Sequence, residues 1–572
     1  MMLKTRKLTA ALVAAGVLSA SMFAAPALAQ VSVTSGGTAA FVPYYTINDG
    51  WRTLLNVTNT SENSLAVKVR LHEARNSRDV LDFVVLLSPF DVWTAWIQEG
   101  ADGQPRLQTN DRSCTVPLSV RDSGASASAL AYSRQFRDHT ATDDVIERMS
   151  EGYIEILVMG ETEGEGIAPP VNSNRSNVSD NTDANWRGST AWFAKHVNGE
   201  PRNCDLIQND FVRRTASWTP GPASAPNPMP GDDGSASPLA RWGSVSEISF
   251  QGRPAGTVSQ VGYEEIVTPN PLKVNVSLVN QSKGVAAGVD AFLLPEWGLG
   301  ENLVTAQQFP WFLEPALASG FGLWNTEYIE EISDVFTTGT VANEWTNNPN
   351  TGAEADWVVT FPGKRFQADE DALNIQAACS VWRNEETAGG DPEGVAGAIW
   401  DGWTPVQLPG TGWRPRQLQV ADNDDTGLCP DLGFPTVFQD GNNGVANLVV
   451  KYDIYDREEG FITVDLDGPV ISPAPPPDVV IDNLPYEVNV LRVGRNAANL
   501  PSALDSLIAL AIDTSQLPSN ANQGWMRMTF EDARYTTTGF IFKTRNFGNP
   551  ALNFGSANVH GYDDRGSLEI LP

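Results

Sequence analysis

The sequence is poor in the residues that carry most catalytic and metal chemistry, with only four histidines and four cysteines in 572 residues. His72, His139, His196 and His560 lie far apart and no C-x-x-C pair occurs, which argues against a zinc site. Basic residues are scarce as well: 38 Lys and Arg stand against 69 Asp and Glu, a formal charge of −31. Such a surface repels nucleic-acid phosphates and anionic lipid, so neither is expected as a partner. Long apolar runs are missing from the body of the chain. Val84–Leu87 and Leu507–Ile512 fall far short of the roughly 20 residues of a membrane-crossing helix, so no membrane span is expected.

Catalytic signatures are missing too. There is no G-x-S-x-G elbow, H-E-x-x-H pair, phosphate loop or G-x-G-x-x-G turn. His72-Glu73 opens like a zinc-protease motif, but Arg75 and Asn76 follow where a second histidine is required, which leaves a polar strand end. His139, in Arg137-Asp138-His139 with Asp143 and Asp144 nearby, has the company of a general base but no identifiable nucleophile. It reads as a solvated loop.

What is present begins with an export pattern. Lys4, Arg6 and Lys7 precede a small-apolar stretch from Leu8 to Phe23, and Ala27-Leu28-Ala29 supplies a cleavage site. Residues 1–29 are therefore expected to be a signal peptide, with the mature chain starting at Gln30. Removing three basic residues changes 38 against 69 into 35 against 69, a mature charge of −34. The first cysteine is Cys114, so the new N-terminus has no lipid-acceptor thiol. The expected location is extracellular or on the cell surface rather than periplasmic. Four cysteines in an exported chain favour two disulfides, with three possible pairings. Because a linker separates the cysteines two by two, Cys114–Cys204 and Cys379–Cys429 are expected.

Composition divides the chain. Residues 30–218 form an N-terminal β-sandwich domain, and the Pro/Gly/Ser-rich stretch 219–238 forms a linker that buries no core. Residues 239–471 form a second β-rich domain. Residues 472–478 are a Pro-rich connection, and 479–572 are a C-terminal β-rich segment able to pack with the second domain. From Leu65 to Leu71 apolar residues alternate with Ala66, Lys68 and Arg70, the pattern of a half-buried strand. The polar turn Thr60–Asn63 before it suggests a hairpin with Trp51–Asn59. A similar hairpin, 273–279 with 285–294, places Asn275-Val276-Ser277 where the first has Asn56-Val57-Thr58 and hints at a duplicated unit. Further strands are expected near 80–87, 92–97, 153–159, 356–361, 448–455, 461–464, 486–493, 525–530 and 538–543. Helical patterns are few: 190–197, 327–335 and 502–511. The expected fold is mainly β, two or more β-sandwich (Ig-like) domains with a few short helices.

Several segments carry a resemblance. Phe41-Val42-Pro43-Tyr44-Tyr45, Gly50-Trp51-Arg52-Thr53, His72 to Val80, Leu87 to Trp93, Asp356 to Arg365 and Tyr455 to Glu459 together resemble a family of uncharacterised exported proteins of Gram-negative bacteria. That family is described only as cell-surface proteins. The resemblance spans most of the mature chain. It implies an envelope or extracellular location and no established activity, and it transfers no catalytic residue.

Two kinds of binding site are candidates. Asp422-Asn423-Asp424-Asp425-Thr426-Gly427 places oxygens at alternate positions before a glycine, as a calcium loop does, but Gly433 stands where a bidentate Glu is needed. Asp440 and the pair Asp465 and Asp467 lie in similar oxygen-rich turns, so structural Ca2+ is the one cofactor considered. Trp400, Trp403 and Trp413 crowd a Gly- and Pro-rich segment, where exposed indoles can stack on sugars or instead plug a core. Together these features point away from an enzyme. The expected function is a surface structural, adhesion or interaction protein whose partners are other surface proteins or polysaccharide. A carbohydrate-binding or carbohydrate-active protein using the tryptophan loops, and a periplasmic or extracellular ligand-binding protein, are the alternatives.

Overall fold

In a computed structural model of the chain, the described residues are 36–75, 77, 79–126, 146–166, 168, 189–205, 207, 263, 265–300, 335–362, 364, 406–408, 412–414, 448, 450–464, 484–517, 521–530 and 535–562. The alternating patterns of the first part become β1 (Ala39–Thr46), β2 (Trp51–Asn59), β3 (Ser64–Glu73), β4 (Asp79–Leu87) and β5 (Val92–Glu99). Shorter strands follow: β6 (Pro105–Gln108), β7 (Cys114–Val116), β8 (Ala125–Ser126), then the long β9 (Glu151–Thr162). A short helix, Ser189–Ala194, precedes a two-residue hairpin, β10 (His196–Val197) with β11 (Glu200–Pro201). Then come β12 (Leu272–Asn280), β13 (Val285–Val289) and β14 (Phe292–Leu294).

These strands make two six-stranded sheets. The first has the order β14-β1-β9-β3-β4-β7 and the second β13-β12-β2-β5-β6-β8, all neighbours antiparallel. Their apolar faces meet, as where Phe83 of β4 and Trp93 of β5 pack with ring centroids 5.6 Å apart. Each such fully buried aromatic contributes roughly 1.5–3 kcal/mol relative to an exposed one.

The rest of the chain makes a second pair. The strands of this part are β15 (Thr337–Thr338), β16 (Thr340–Thr346), β17 (Ala353–Thr360), β18 (Val406–Leu408), β19 (Gly412–Arg414), β20 (Val450–Asp456) and β21 (Phe461–Val464), of which β15 and the hairpin β18–β19 stand in separate two-stranded sheets. They continue with β22 (Val488–Gly494), β23 (Ala509–Asp513), β24 (Gln523–Phe530), β25 (Tyr535–Thr536), β26 (Thr538–Arg545), β27 (Phe554–Val559) and β28 (Gly561–Tyr562). The third sheet has the order β21-β20-β24-β16-β28 and the fourth β23-β22-β17-β26-β27. Only β22–β23 is parallel among these neighbours. Trp357 of the fourth sheet donates its indole N–H to the Glu344 carbonyl of the third at 2.8 Å, and the Asn347 amide reaches the Val493 carbonyl at 2.7 Å. Both satisfy polar groups that burial would otherwise penalise.

The two pairs share one apolar core. Thr360 donates to the Pro43 carbonyl (2.8 Å), and the Val488 and Glu487 amides donate to Ala74 and Arg75 carbonyls at the end of β3 (2.8 and 3.1 Å). Trp51 lies edge-on to Phe542 at 5.3 Å. The β12–β13 turn abuts the β26–β27 connection closely enough that a Cβ on Gly284 would stand 1.8 Å from the Pro550 carbonyl oxygen. That glycine also sits at φ +66°, so it answers both a close approach and a left-handed backbone.

Several sequence expectations change here. β2 and β3 are not a hairpin: β2 lies in the second sheet and β3 in the first, so Thr60–Asn63 is an arch between sheets. The Asn59 side chain builds it, donating to the Asn63 and Ser88 carbonyls and accepting from Ser61. β3 is not half-buried, because all ten residues, Lys68 and Arg70 included, are covered. The two Asn-containing triplets are not copies in separate units, since Asn275 lies directly opposite Asn56 on paired strands. The start of the expected second domain completes the first pair of sheets, and strands from 479–572 interleave with β16, β17 and β20. The connections 219–238 and 472–478, like the signal segment 1–29, lie outside the described residues. Residues 502–508 form a loop, not a helix, for a reason given below.

Candidate functional site

Of the sequence candidates, Cys114 and Cys204 are joined, with Cα atoms 5.4 Å apart and 90 residues between them. The bridge ties the segment after the β10–β11 hairpin to β7 at the rim of the first sheet. Cys379, Cys429, Asp422, Asp424, Asp440, Asp465, Asp467, Trp400, Trp403 and His139 all lie outside the described residues. Trp413 has its backbone in the β18–β19 hairpin, opposite Gln407. Among the described residues no group of three His, Cys, Asp or Glu side chains is placed to hold a metal ion.

His72 and Glu73 close β3 as expected of a polar strand end, but both are buried. Strand alternation sends Lys68, Arg70 and His72 to the face of the first sheet away from the second, where register sets Glu155 opposite Arg70 and Tyr153 opposite His72. The His72 ring stacks on Tyr153 (4.9 Å), and Tyr153 stacks on Phe41 (5.0 Å). Its Nδ1 meets the Ser77 carbonyl at 3.0 Å and its Nε2 meets Glu155 at 2.7 Å. A carbonyl only accepts, so Nδ1 carries a proton, and a second proton lies between Nε2 and the carboxyl group. The dyad has the composition of a general base and its orienting acid. Both groups, however, are sealed from solvent, His72 wholly and Glu155 nearly so.

The junction between the pairs carries a second buried set. Glu151, at the start of β9, accepts from the Tyr44 and Ser506 hydroxyls (2.7 Å each) and from the Leu507 amide (2.8 Å). Asp356, in β17, accepts on Oδ2 from the Ser502 hydroxyl (2.5 Å) and the Leu504 amide (2.9 Å). Between them Asp505 takes the Trp51 indole N–H at 2.8 Å and pairs with Lys283. Two carboxylates from distant parts of the chain, Glu151 and Asp356, thus hold the loop Ser502–Leu507, and the loop's own Asp505 anchors it to Trp51 and Lys283. This explains its departure from helix: its hydroxyls and amides are engaged by distant acids rather than by its own carbonyls. Burial pushes the Glu151 carboxyl above the usual range against the donors that oppose it, and pushes Asp356 up to about 7. Nearby, the buried Lys364 ammonium donates to the Leu484, Pro485 and Tyr486 carbonyls at 3.1, 2.8 and 3.0 Å. Burial pulls its pKa below the ordinary lysine value while Glu487 opposes the change. These groups knit the junction.

Two surfaces remain open. On the third sheet Phe461, Tyr455 and Trp525 form a cross-strand ladder over β21, β20 and β24. Tyr455 and Trp525 are parallel within 4° at 4.2 Å, and Phe461 stacks on Tyr455 at 5.7 Å. Phe461 is 60% and Trp525 42% exposed, so the ladder stands upright as an apolar ridge presenting ring edges. An Asp453–Arg527 pair (2.7 Å) flanks it.

The second open surface is the outer face of the second sheet. Its register sets side chains in rows across the strands. Gly288, Ser277, Leu54, Trp96 and Gln108 make one row, Asn275, Asn56 and Thr94 the next, and Lys273, Thr58 and Val92 a third. Arg52 and, across β5 from it, Gln98 and Arg106 lie on the other side of Trp96. The Trp96 indole donates to Gln98 at 3.1 Å and the Gln98 amide to Gln108 at 2.9 Å, so the half-buried ring is fixed in place. Among the described side chains of these strands, no Asp or Glu projects from this face. Residues in 92–98 carried a signal for it: Trp96 shares its strand face with Thr94 and Gln98, which a purely core-filling indole does not. Compared with known proteins, the chain matches no family model, no curated protein and no solved structure.

Proposed function

We propose that this chain is an exported, non-enzymatic protein of the cell surface or extracellular space, acting by contact as an interaction, adhesion or structural component. In this reading each pair of sheets is a β-sandwich of immunoglobulin-like kind, residues 1–29 are removed on export, and the chain belongs with the exported proteins it resembles. The observation that carries the proposal is a division of labour among side chains. Among the described residues, the ionisable groups with catalytic composition, His72 with Glu155 and Glu151 with Asp356, are buried in the fold. Trp525, Phe461, Leu54 and, in part, Trp96 are instead held out to solvent on sheet faces. Exposed aromatics on rigid strands suit recognition, where large amphipathic rings supply contact area at little entropic cost. The Cys114–Cys204 bridge supports an oxidising destination, since disulfides persist outside the reducing cytosol.

Cells lacking the protein are expected to attach less to a surface or to one another, and the full-length gene should restore attachment. A reintroduced Phe461→Ser/Trp525→Ser chain that folds and accumulates tests the ridge within the same assay. Unchanged attachment on deletion would contradict the proposal. A carbohydrate-binding role is the second reading, favoured by the lack of acids among the described strand residues around Trp96.

A further inference from the structure

The chain carries nearly twice as many acids as bases, yet the outer face of the second sheet shows none of its acids among the described strand residues. Acids stand at its rim: Asp91, at the start of β5, is held by His196 at 3.2 Å and by the Ser88 hydroxyl at 3.0 Å, and the exposed Asp290 follows β13, next to Val289, which lies opposite Val276. The basic residues are placed at opposite ends. Lys273 sits in the row of Thr58, while Arg52 lies six residues along β2 from Thr58. At about 3.3 Å per residue this separates the two ends by roughly 20 Å. Arg106 stands near Arg52, beyond Gln98. Between the ends lie the Leu54–Trp96 centre and, beside it, Asn56, Asn275 and Thr94, of which both asparagines and the threonine are exposed.

From this arrangement we infer that the outer face of the second sheet binds an extended polysaccharide bearing occasional carboxylates. The inference rests on the proposed function and names the partner for it. An indole fixed by Gln98 offers an apolar surface to the C–H side of a sugar ring, and the amides and hydroxyls around it pair with sugar hydroxyls. Cations about 20 Å apart match charges spaced several sugars apart along a polymer. A densely charged polymer such as a nucleic acid is repelled by the surrounding −34 surface, whereas a sparsely charged one meets described strand residues that carry no acid, with Asp290 at one edge. A second copy of this acidic chain would meet the same long-range repulsion.

The test uses the mature chain, with immobilised hyaluronate as the sparsely charged probe, dextran as the neutral one and single-stranded DNA as the dense one. Hyaluronate is expected to bind best. Trp96→Ala, and separately Arg52→Glu with Lys273→Glu, should each weaken it by roughly tenfold or more without moving the thermal midpoint appreciably. Thr58→Val on the same face serves as a variant that keeps both charge and indole. If dextran or DNA binds as well as hyaluronate, or if the charge reversals leave hyaluronate binding unchanged, the inference is overturned. Should no polysaccharide bind while deletion still lowers attachment, this inference fails and the surface role stands.

Discussion

At pH 8 the Asp356→Asn protein is expected to melt higher than the wild type, by about 3–4 °C, while at pH 4 the two melt together. Asp356 is buried in β17 and its pKa lies at about 7, raised first by burial and opposed by the Ser502 and Leu504 donors and the Arg492 charge. Glu354, on the same strand, adds to the rise. The unfolded chain releases this proton near the ordinary value of 3.8. A carboxyl whose folded pKa is raised favours the fold below about pH 4, and that advantage is lost as pH climbs to about 7. Three pKa units amount to about 4 kcal/mol, and above pH 7 the loss is complete. Asparagine is neutral throughout. Its carbonyl oxygen can keep both bonds from the 502–507 loop, and its amide takes the place of Oδ1, which has no hydrogen-bond partner. The comparison is made between variant and wild type at each pH, because Glu151, raised in the same direction, contributes to both curves equally. Parallel curves from pH 4 to 8 would show that Asp356 does not titrate in the folded protein.

Replacing both Cys114 and Cys204 by alanine is expected to lower stability by about 4–5 kcal/mol, the chain-entropy value for a loop of this size. The bridge joins residues 90 positions apart and anchors β7, an outer strand whose neighbour in the sheet is β4. Both thiols are buried, so the pair has no part in surface chemistry. Denaturant titrations of the two proteins under oxidising conditions give the check. Coincident midpoints would mean that packing of β7 against β4 suffices without the bridge.

Much of the fold is legible from local alternation, and what is missed depends on distant partners. Strands β4, β5, β9, β17, β24 and β26 follow from their β-branched and aromatic runs, because period-two burial is a local property. The Thr60–Asn63 turn looks like a hairpin because its composition suits any reversal. Only the Asn59 amide, bound to Ser88 in a different strand connection, sends the chain to the other sheet. Ser502–Ala511 has helical spacing in Leu504, Leu507 and Ile508. Its structure is instead dictated by Asp356 and Glu151, 146 and 355 residues away from Ser502 and Ser506. Ala66, Lys68 and Arg70 read as the open face of a half-buried strand, since polarity alone does not reveal that a strand is covered on both sides.

The candidate surface was less legible than the strands. Clustered tryptophans drew attention to 400–413, whereas Trp96 stands alone in sequence. Its neighbours Leu54, Asn56 and Asn275 arrive from β2 and β12, more than 200 residues apart along the chain at Asn56 and Asn275. Absence of acid on one face is a property of registered strands together. No single segment displays it.

The central claim is that the protein works by contact outside the inner membrane. Mass spectrometry of the chain released by a non-penetrating protease from intact cells tests this most directly. The account predicts a mature N-terminus at Gln30, a Cys114–Cys204 peptide recovered oxidised, and cleavage without cell lysis. A chain that keeps Lys4, Arg6 and Lys7, is reduced at Cys114, and is cut only after the cells are broken would contradict it.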